Sequence, residues 1–163
     1  MSSVGKLAQS TALWIGTACL AVFVLLLPLM GWLSDRVGRR PLLIASCIGY
    51  AILGYPFFLM ASSGNIGLAV LAQLLMVLLY VPYAGACPAF YAEIFPTRVR
   101  YTALSIGYNI AVAIFGGFAP FIATFLVRAT GNNHAPSAYV FITALVTLVI
   151  LLRTRETAFA PLR

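Results

Sequence analysis

The sequence predicts an all-α membrane protein, a bundle of about five transmembrane helices, on two observations. Hydrophobic residues make up 63% of the 163-residue chain and charged residues 8%, with a mean hydropathy of +1.03. Soluble domains run nearer ~25% charged. Charges are also absent between Lys6 and Asp35, Pro41 and Ala92, Tyr101 and Val127, and Ala129 and Leu152. Each gap reaches the roughly 20 residues a helix needs to cross a bilayer. The apolar runs are continuous rather than alternating, which favours helices over a barrel.

The elements follow in order. A short external segment, residues 1–11, precedes a first helix at 12–31. The second long gap holds two helices, 42–61 and 66–91, with Ser62-Ser63-Gly64-Asn65 as the polar turn between them. A fourth helix is placed at 103–127 and a fifth at 137–152, and a cytoplasmic tail runs over 153–163. The joints 32–41, 62–65, 92–102 and 128–136 connect them.

Positive charge orients the bundle. Arg36, Arg39, Arg40, Arg98, Arg100, Arg153, Arg155 and Arg163 fall on one side, Lys6 and Arg128 on the other. The Arg-rich side is expected in the cytoplasm, with the N-terminus outside. An external start looks like the last five helices of a six-helix unit. This placement also accounts for the net charge of +7 without a nucleic-acid partner.

Several function classes are set aside by what the chain lacks. It has no metal-spaced Cys/His set, no phosphate-cradling glycine loop and no nucleophile–base pair, so no catalytic residue, metal or cofactor is expected and the chain is not read as an enzyme. Cys19, Cys47 and Cys87 lie inside apolar runs and read as small core residues. His134, the only histidine, reads as solvated in the external joint beside Asn132 and Asn133. No secretory leader is visible.

The joint Gly31-Trp32-Leu33-Ser34-Asp35-Arg36-Val37-Gly38-Arg39-Arg40-Pro41 carries four of the charges. Arg39 and Arg40 precede Pro41, which suits a first helical turn, yet cations there oppose the helix dipole. Glu93, closing the third helix, opposes its dipole too. Mutual pairing resolves both: Glu93 is expected against Arg39 or Arg40, and Asp35 near Arg100 or the start of the fourth helix. Gly38 permits the turn and Gly31 a close helix approach. An ordinary arginine loop on lipid phosphates remains the alternative.

These residues also carry a resemblance. Gly31-x-x-x-Asp35-Arg36-x-Gly38-Arg39-Arg40 resembles the cytoplasmic signature joining the second and third helices of each half of a major facilitator superfamily transporter. Glu93-Ile94-Phe95-Pro96-Thr97-Arg98-Val99-Arg100-Tyr101-Thr102, with Leu104 to Asn109 and Phe115-Gly116-Gly117-Phe118-Ala119-Pro120, is similar to the metabolite:proton symporter subgroup of proline/betaine, α-ketoglutarate, shikimate and citrate carriers. The resemblance covers residues 7–157 and implies most of the C-terminal six-helix half of that fold. It implies alternating access, with a small polar metabolite and protons as cargo, in a bacterial inner (plasma) membrane. The charged joints, Arg98 and Arg100 included, would then latch one conformation. The missing half would be needed as partner.

No Asp, Glu, Lys or Arg lies mid-membrane, so the proton-coupling acid is expected outside this chain. Gln73, Tyr80, Tyr83, Tyr108 and Asn109 are the candidate cavity residues. Helix–helix hydrogen bonding for Gln73 and Asn109, and interfacial anchoring for the tyrosines, are the plainer alternatives. Gly116-Gly117 is a candidate hinge. A reading from another class is a small, non-transporting membrane protein that assembles with or regulates another membrane chain.

Overall fold

In the computed structural model, which describes residues 9–132 and 134–158, the described residues form helices joined by short turns. Helix α1 spans Gln9–Val37, α2 Arg39–Ser62 and α3 Ile66–Ile94. The fourth span is composite: α4 Arg100–Ala111, a π-helical turn Val112–Gly117, and α5 Ala119–Thr130. Helix α6 spans Pro136–Arg153. Five of these spans are long and apolar enough to cross a membrane. Lys6, Asn133 and Arg163 lie outside the described residues.

The helices overrun the apolar segments. Residues 32–41, expected as a joint, are helical except for Gly38, so α1 and α2 meet at a single residue. The physical reason is the backbone at Gly38. Its N–H still donates to Ser34 O at 3.1 Å, closing the last turn of α1, while φ of +107° reverses the chain where other residues rarely go. The next joint works differently. Asn65 caps α3, its Oδ1 accepting from Gly67 N at 2.8 Å and Leu68 N at 3.4 Å, a usual role for asparagine at a helix start.

Helix α3 packs against both α1 and α2, and α6 packs against α2. The core gathers Leu43 and Cys47 of α2, Ala86 and Phe90 of α3, and Leu151 of α6. Gly31 does not supply the close approach expected of it, because a Cβ there would meet nothing within 4 Å. The crossing of α1 and α3 is set instead by Gly85, whose Cβ would fall 3.0 Å from Gly31 N and Met30 Cβ.

Prolines 28, 56, 82 and 88 sit inside α1, α2 and α3 without ending them. Interruption is confined to the fourth span, where the π turn takes in Gly116 and Gly117. No residue of α4, the π turn or α5 is fully buried. This span therefore stands off from the packed group of α1, α2, α3 and α6.

Candidate functional site

Two regions hold the sequence-predicted residues. The first is the Arg-rich end, where α1, α2, α3 and α6 all terminate. Arg39 is its hub. Its Nη2 donates to Glu93 Oε1 at 3.1 Å across to α3. Its Nη1 donates to Ser34 Oγ at 3.2 Å and pairs with Asp35 of α1. The Arg39 and Glu93 side chains are only 9% and 15% exposed, so each charge depends on the other. Arg39 is thus the arginine that Glu93 meets. Asp35 pairs with Arg39 as well, and not with Arg100: α1 continues as helix to Val37, and the turn at Gly38 brings the first residue of α2 back against it.

Arg40 turns away from the hub. Its Nε and Nη2 donate to Leu151 O and Leu152 O at 2.9 and 2.8 Å, the carbonyl end of α6. A cation belongs at that end of a helix dipole. The favour is returned by Glu156, just beyond α6, which accepts from Arg39 N and Arg40 N at 3.0 Å each. Pro41 has no N–H to satisfy, so the start of α2 is nearly complete in its hydrogen bonding. The two helices exchange caps: α2 lends its arginine and α6 its glutamate.

Gly38 is required twice over at this joint. Besides its positive φ, a Cβ there would come within 2.8 Å of Glu156 Oε2. Burial alone would push the Glu156 carboxyl up. The backbone N–H groups of Ala158, Arg39, Arg40 and Thr157 outweigh it and hold the carboxyl below its ordinary value. Thr157 Oγ1 donates to Glu93 Oε2 at 2.6 Å, which ties the tail into the same network. Sequence reasoning missed Ser34, Glu156 and Thr157. A signal was present for Glu156: it is one of only three acids, set among arginines that leave no carboxylate at that end unpaired.

The other motif residues stay outside the hub. Arg36 lies over the Trp32 ring, 4.0 Å from its centroid. Arg98 is exposed on the turn before α4. Arg100 Nε donates to Phe95 O at 3.2 Å, holding that turn rather than an acid.

The second region is an open cavity of ≈ 830 Å³ between α3 and α4. Tyr80, Tyr83, Cys87 and Tyr91 face it from α3; Ser105, Tyr108, Asn109 and Phe115 face it from α4 and the π turn. The α3 set recurs every three or four residues, and on the fourth span Leu104, Tyr108, Val112 and Gly116 recur every four beside Ser105 and Asn109, one face of each helix. Asn109 Nδ2 donates to Ser105 O of its own helix at 2.7 Å, in place of a bond between helices. Gly116 lines the cavity, and Gly117 is the next residue of the π turn. Gln73 does not line it. Tyr80 and Tyr83 stack, centroids 6.1 Å apart, and Phe23 of α1 stacks on Tyr80 at 5.6 Å. Behind this ladder is a smaller cavity of ≈ 270 Å³ bounded by Ser46, Tyr50, Thr143 and Thr147. Tyr50 braces it by donating to Met76 O at 2.9 Å. Among the described residues no cluster of metal-ligating side chains occurs.

The chain is 39% identical over 161 residues to the ectoine/proline transporter ProP of Corynebacterium glutamicum, covering 96% of this chain and 31% of that protein. It is 34% identical over 136 residues to the proline/betaine transporter of Escherichia coli K12, covering 83% and 27%. To the citrate-proton symporter of Klebsiella pneumoniae it is 36% identical over 124 residues, covering 76% and 28%. The chain thus spans roughly a third of the length of these relatives. No solved structure matches it. The family model described as "Sugar (and other) transporter" matches residues 2–163. With its five membrane-length helices and its arginine-centred joint, the chain belongs to that family of the major facilitator superfamily.

Proposed function

We propose that this chain forms the C-terminal part of a carrier importing small polar metabolites, organic acids or osmolytes, together with protons by alternating access. The Arg-rich end lies in the cytoplasm, the C-terminus inside and the N-terminus outside, in a bacterial inner membrane. The distribution of arginines supports that orientation, and the bacterial relatives support the membrane. The coupling acid and the opposite wall of the cavity come from the remaining half of the carrier.

One observation carries this reading: Arg39 holds Asp35 of α1 and Glu93 of α3 through a single guanidinium. Three helix ends are therefore locked by contacts that break together when the cytoplasmic side opens. Such a joint gives two discrete arrangements rather than a continuum. Gly116 and Gly117, in the π turn, supply the flexing point of the fourth span.

The test is uptake of labelled proline or glycine betaine by cells expressing the carrier from its own locus. Asp35→Asn and Glu93→Gln are expected to slow proton-dependent uptake about tenfold or more while membrane insertion is unchanged. Wild-type rates in both variants, or no proton-dependent uptake in the parent, would overturn the reading.

A further inference from the structure

We infer that the smaller cavity, bounded by α2, α3 and α6, is an internal hydration site: a cluster of water molecules held by the hydroxyls of Ser46, Tyr50, Thr143 and Thr147. The inference stands on the packed group of helices alone and is independent of the carrier reading.

An unpaired hydroxyl is the first argument. Ser46 is 3% exposed, and its Oγ has no hydrogen-bond partner among the described residues. A buried hydroxyl left in that condition is costly. A serine or threonine inside a helix has a ready remedy, a carbonyl three or four residues back. Thr143 and Thr147 both use it. Ser46 does not, and it lines the same cavity as they do.

The balance of donors and acceptors is the second. Tyr50 spends its O–H on Met76 O at 2.9 Å, Thr143 on Tyr139 O at 2.9 Å and Thr147 on Thr143 O at 2.8 Å. Each of these oxygens keeps a lone pair and has no proton left to offer, so the occupant they fit is a donor. Among the described residues, those lining the cavity include no Asp, Glu, Lys, Arg or His. An ion of either sign would find no countercharge there. Water donates twice and carries no charge.

Position and size agree. Tyr50 and Tyr80 lie at the midpoints of α2 and α3, a depth at which lipid offers hydroxyls no partner. The cavity of ≈ 270 Å³ has room for several waters at about 30 Å³ each. Water so placed is part of the fold, because it satisfies groups that the protein leaves unpaired. Here it bridges α2 to α6 at mid-span, while the exchanged caps join the same two helices at the Arg-rich end. It also backs the wall of the larger cavity, since Tyr80 and Tyr83 border both spaces.

Two cysteines make the site testable. Cys47 lines the cavity and is 5% exposed, whereas Cys19 of α1 is 2% exposed and lies outside it. The experiment is pulsed hydroxyl-radical labelling of the full chain in lipid nanodiscs, read by mass spectrometry. Radicals born from bound water oxidise the side chains beside it, so Cys47 is expected to oxidise several-fold faster than Cys19. Thermal unfolding adds an independent sign. With water in place, Ser46→Ala removes an anchor and should lower the midpoint by roughly 2–4 °C. A dry cavity gives the opposite result, because deleting an unpaired hydroxyl then stabilises the fold. The wild-type labelling comparison decides the matter even if the variant fails to fold.

Equal oxidation of Cys47 and Cys19 would sink the inference, as would an unchanged or raised midpoint in Ser46→Ala. Cys47 labelling that changes when sodium salts are replaced by choline salts would assign the cavity to a metal cation instead, and would sink it equally.

Discussion

The Arg-rich end and the α3–α4 cavity use polar side chains in opposite ways. At the first, charged side chains are spent on other parts of the protein: Arg39 on Ser34, Asp35 and Glu93, with only its buried Nε left without a partner, Arg40 on the end of α6, and Glu156 on the start of α2. At the second, four tyrosines and an asparagine line open space, and Asn109 bonds only within its own helix. The first region fixes how helices meet. The second is left free to meet something else. The bundle resists motion at its Arg-rich end and offers a surface at the cavity.

The contrast breaks first at Arg39. Arg39→Ala strands Glu93 with one hydroxyl partner, and a buried pair losing one member costs about 3 kcal/mol. A marked fall in the thermal midpoint in detergent is expected, and Arg39→Lys should recover only part of it, since an ammonium cannot span both acids. An unchanged midpoint for Arg39→Ala would erase the distinction between the two regions.

A smaller effect comes from pH. The folded Glu156 carboxyl titrates below its ordinary value, so its contribution is complete above the unfolded value, near ~4.3. That contribution drains away as pH falls through the lower, folded value. Protection of the Arg39 and Arg40 amides, taken relative to their intrinsic exchange at each pH, should therefore fall on acidification, and Glu156→Gln should remove that dependence. Protection insensitive to both would show that the exchanged caps of α2 and α6 contribute nothing.

The smallest effect is expected on the open side. Asn109→Ala removes a bond to its own helix at an exposed site, and should shift stability by no more than about 0.5 kcal/mol. A loss as large as that of Arg39→Ala would mean the cavity wall is packed against something in the working protein.

Much of the arrangement was legible in the chain itself. Five apolar spans follow from charge-free gaps, because a bilayer tolerates neither scattered charge nor unpaired backbone. The Glu93–arginine pairing followed from two charges each set against a helix dipole. The partner of Asp35 was not legible, because apolar counting ends α1 at residue 31 while the helix persists to Val37 and α2 begins again just past the turn at Gly38. Gly31 was singled out for packing when Gly85 provides it, since a glycine's use depends on which face its neighbour occupies. Glu156 escaped notice for a related reason: a tail residue 117 positions from Arg39 has no local pattern to announce the contact.

Membrane character, the number of spans and the end on which charge collects are written in the order of residues alone. These depend on the solvent each residue tolerates, a property carried one residue at a time. It took the packed helices to show that Arg39 serves both Asp35 and Glu93, that α2 and α6 exchange caps, and that Tyr80, Tyr83 and Tyr108 share one cavity. Those facts depend on the distance and direction between helices far apart in the chain, and packing alone sets both.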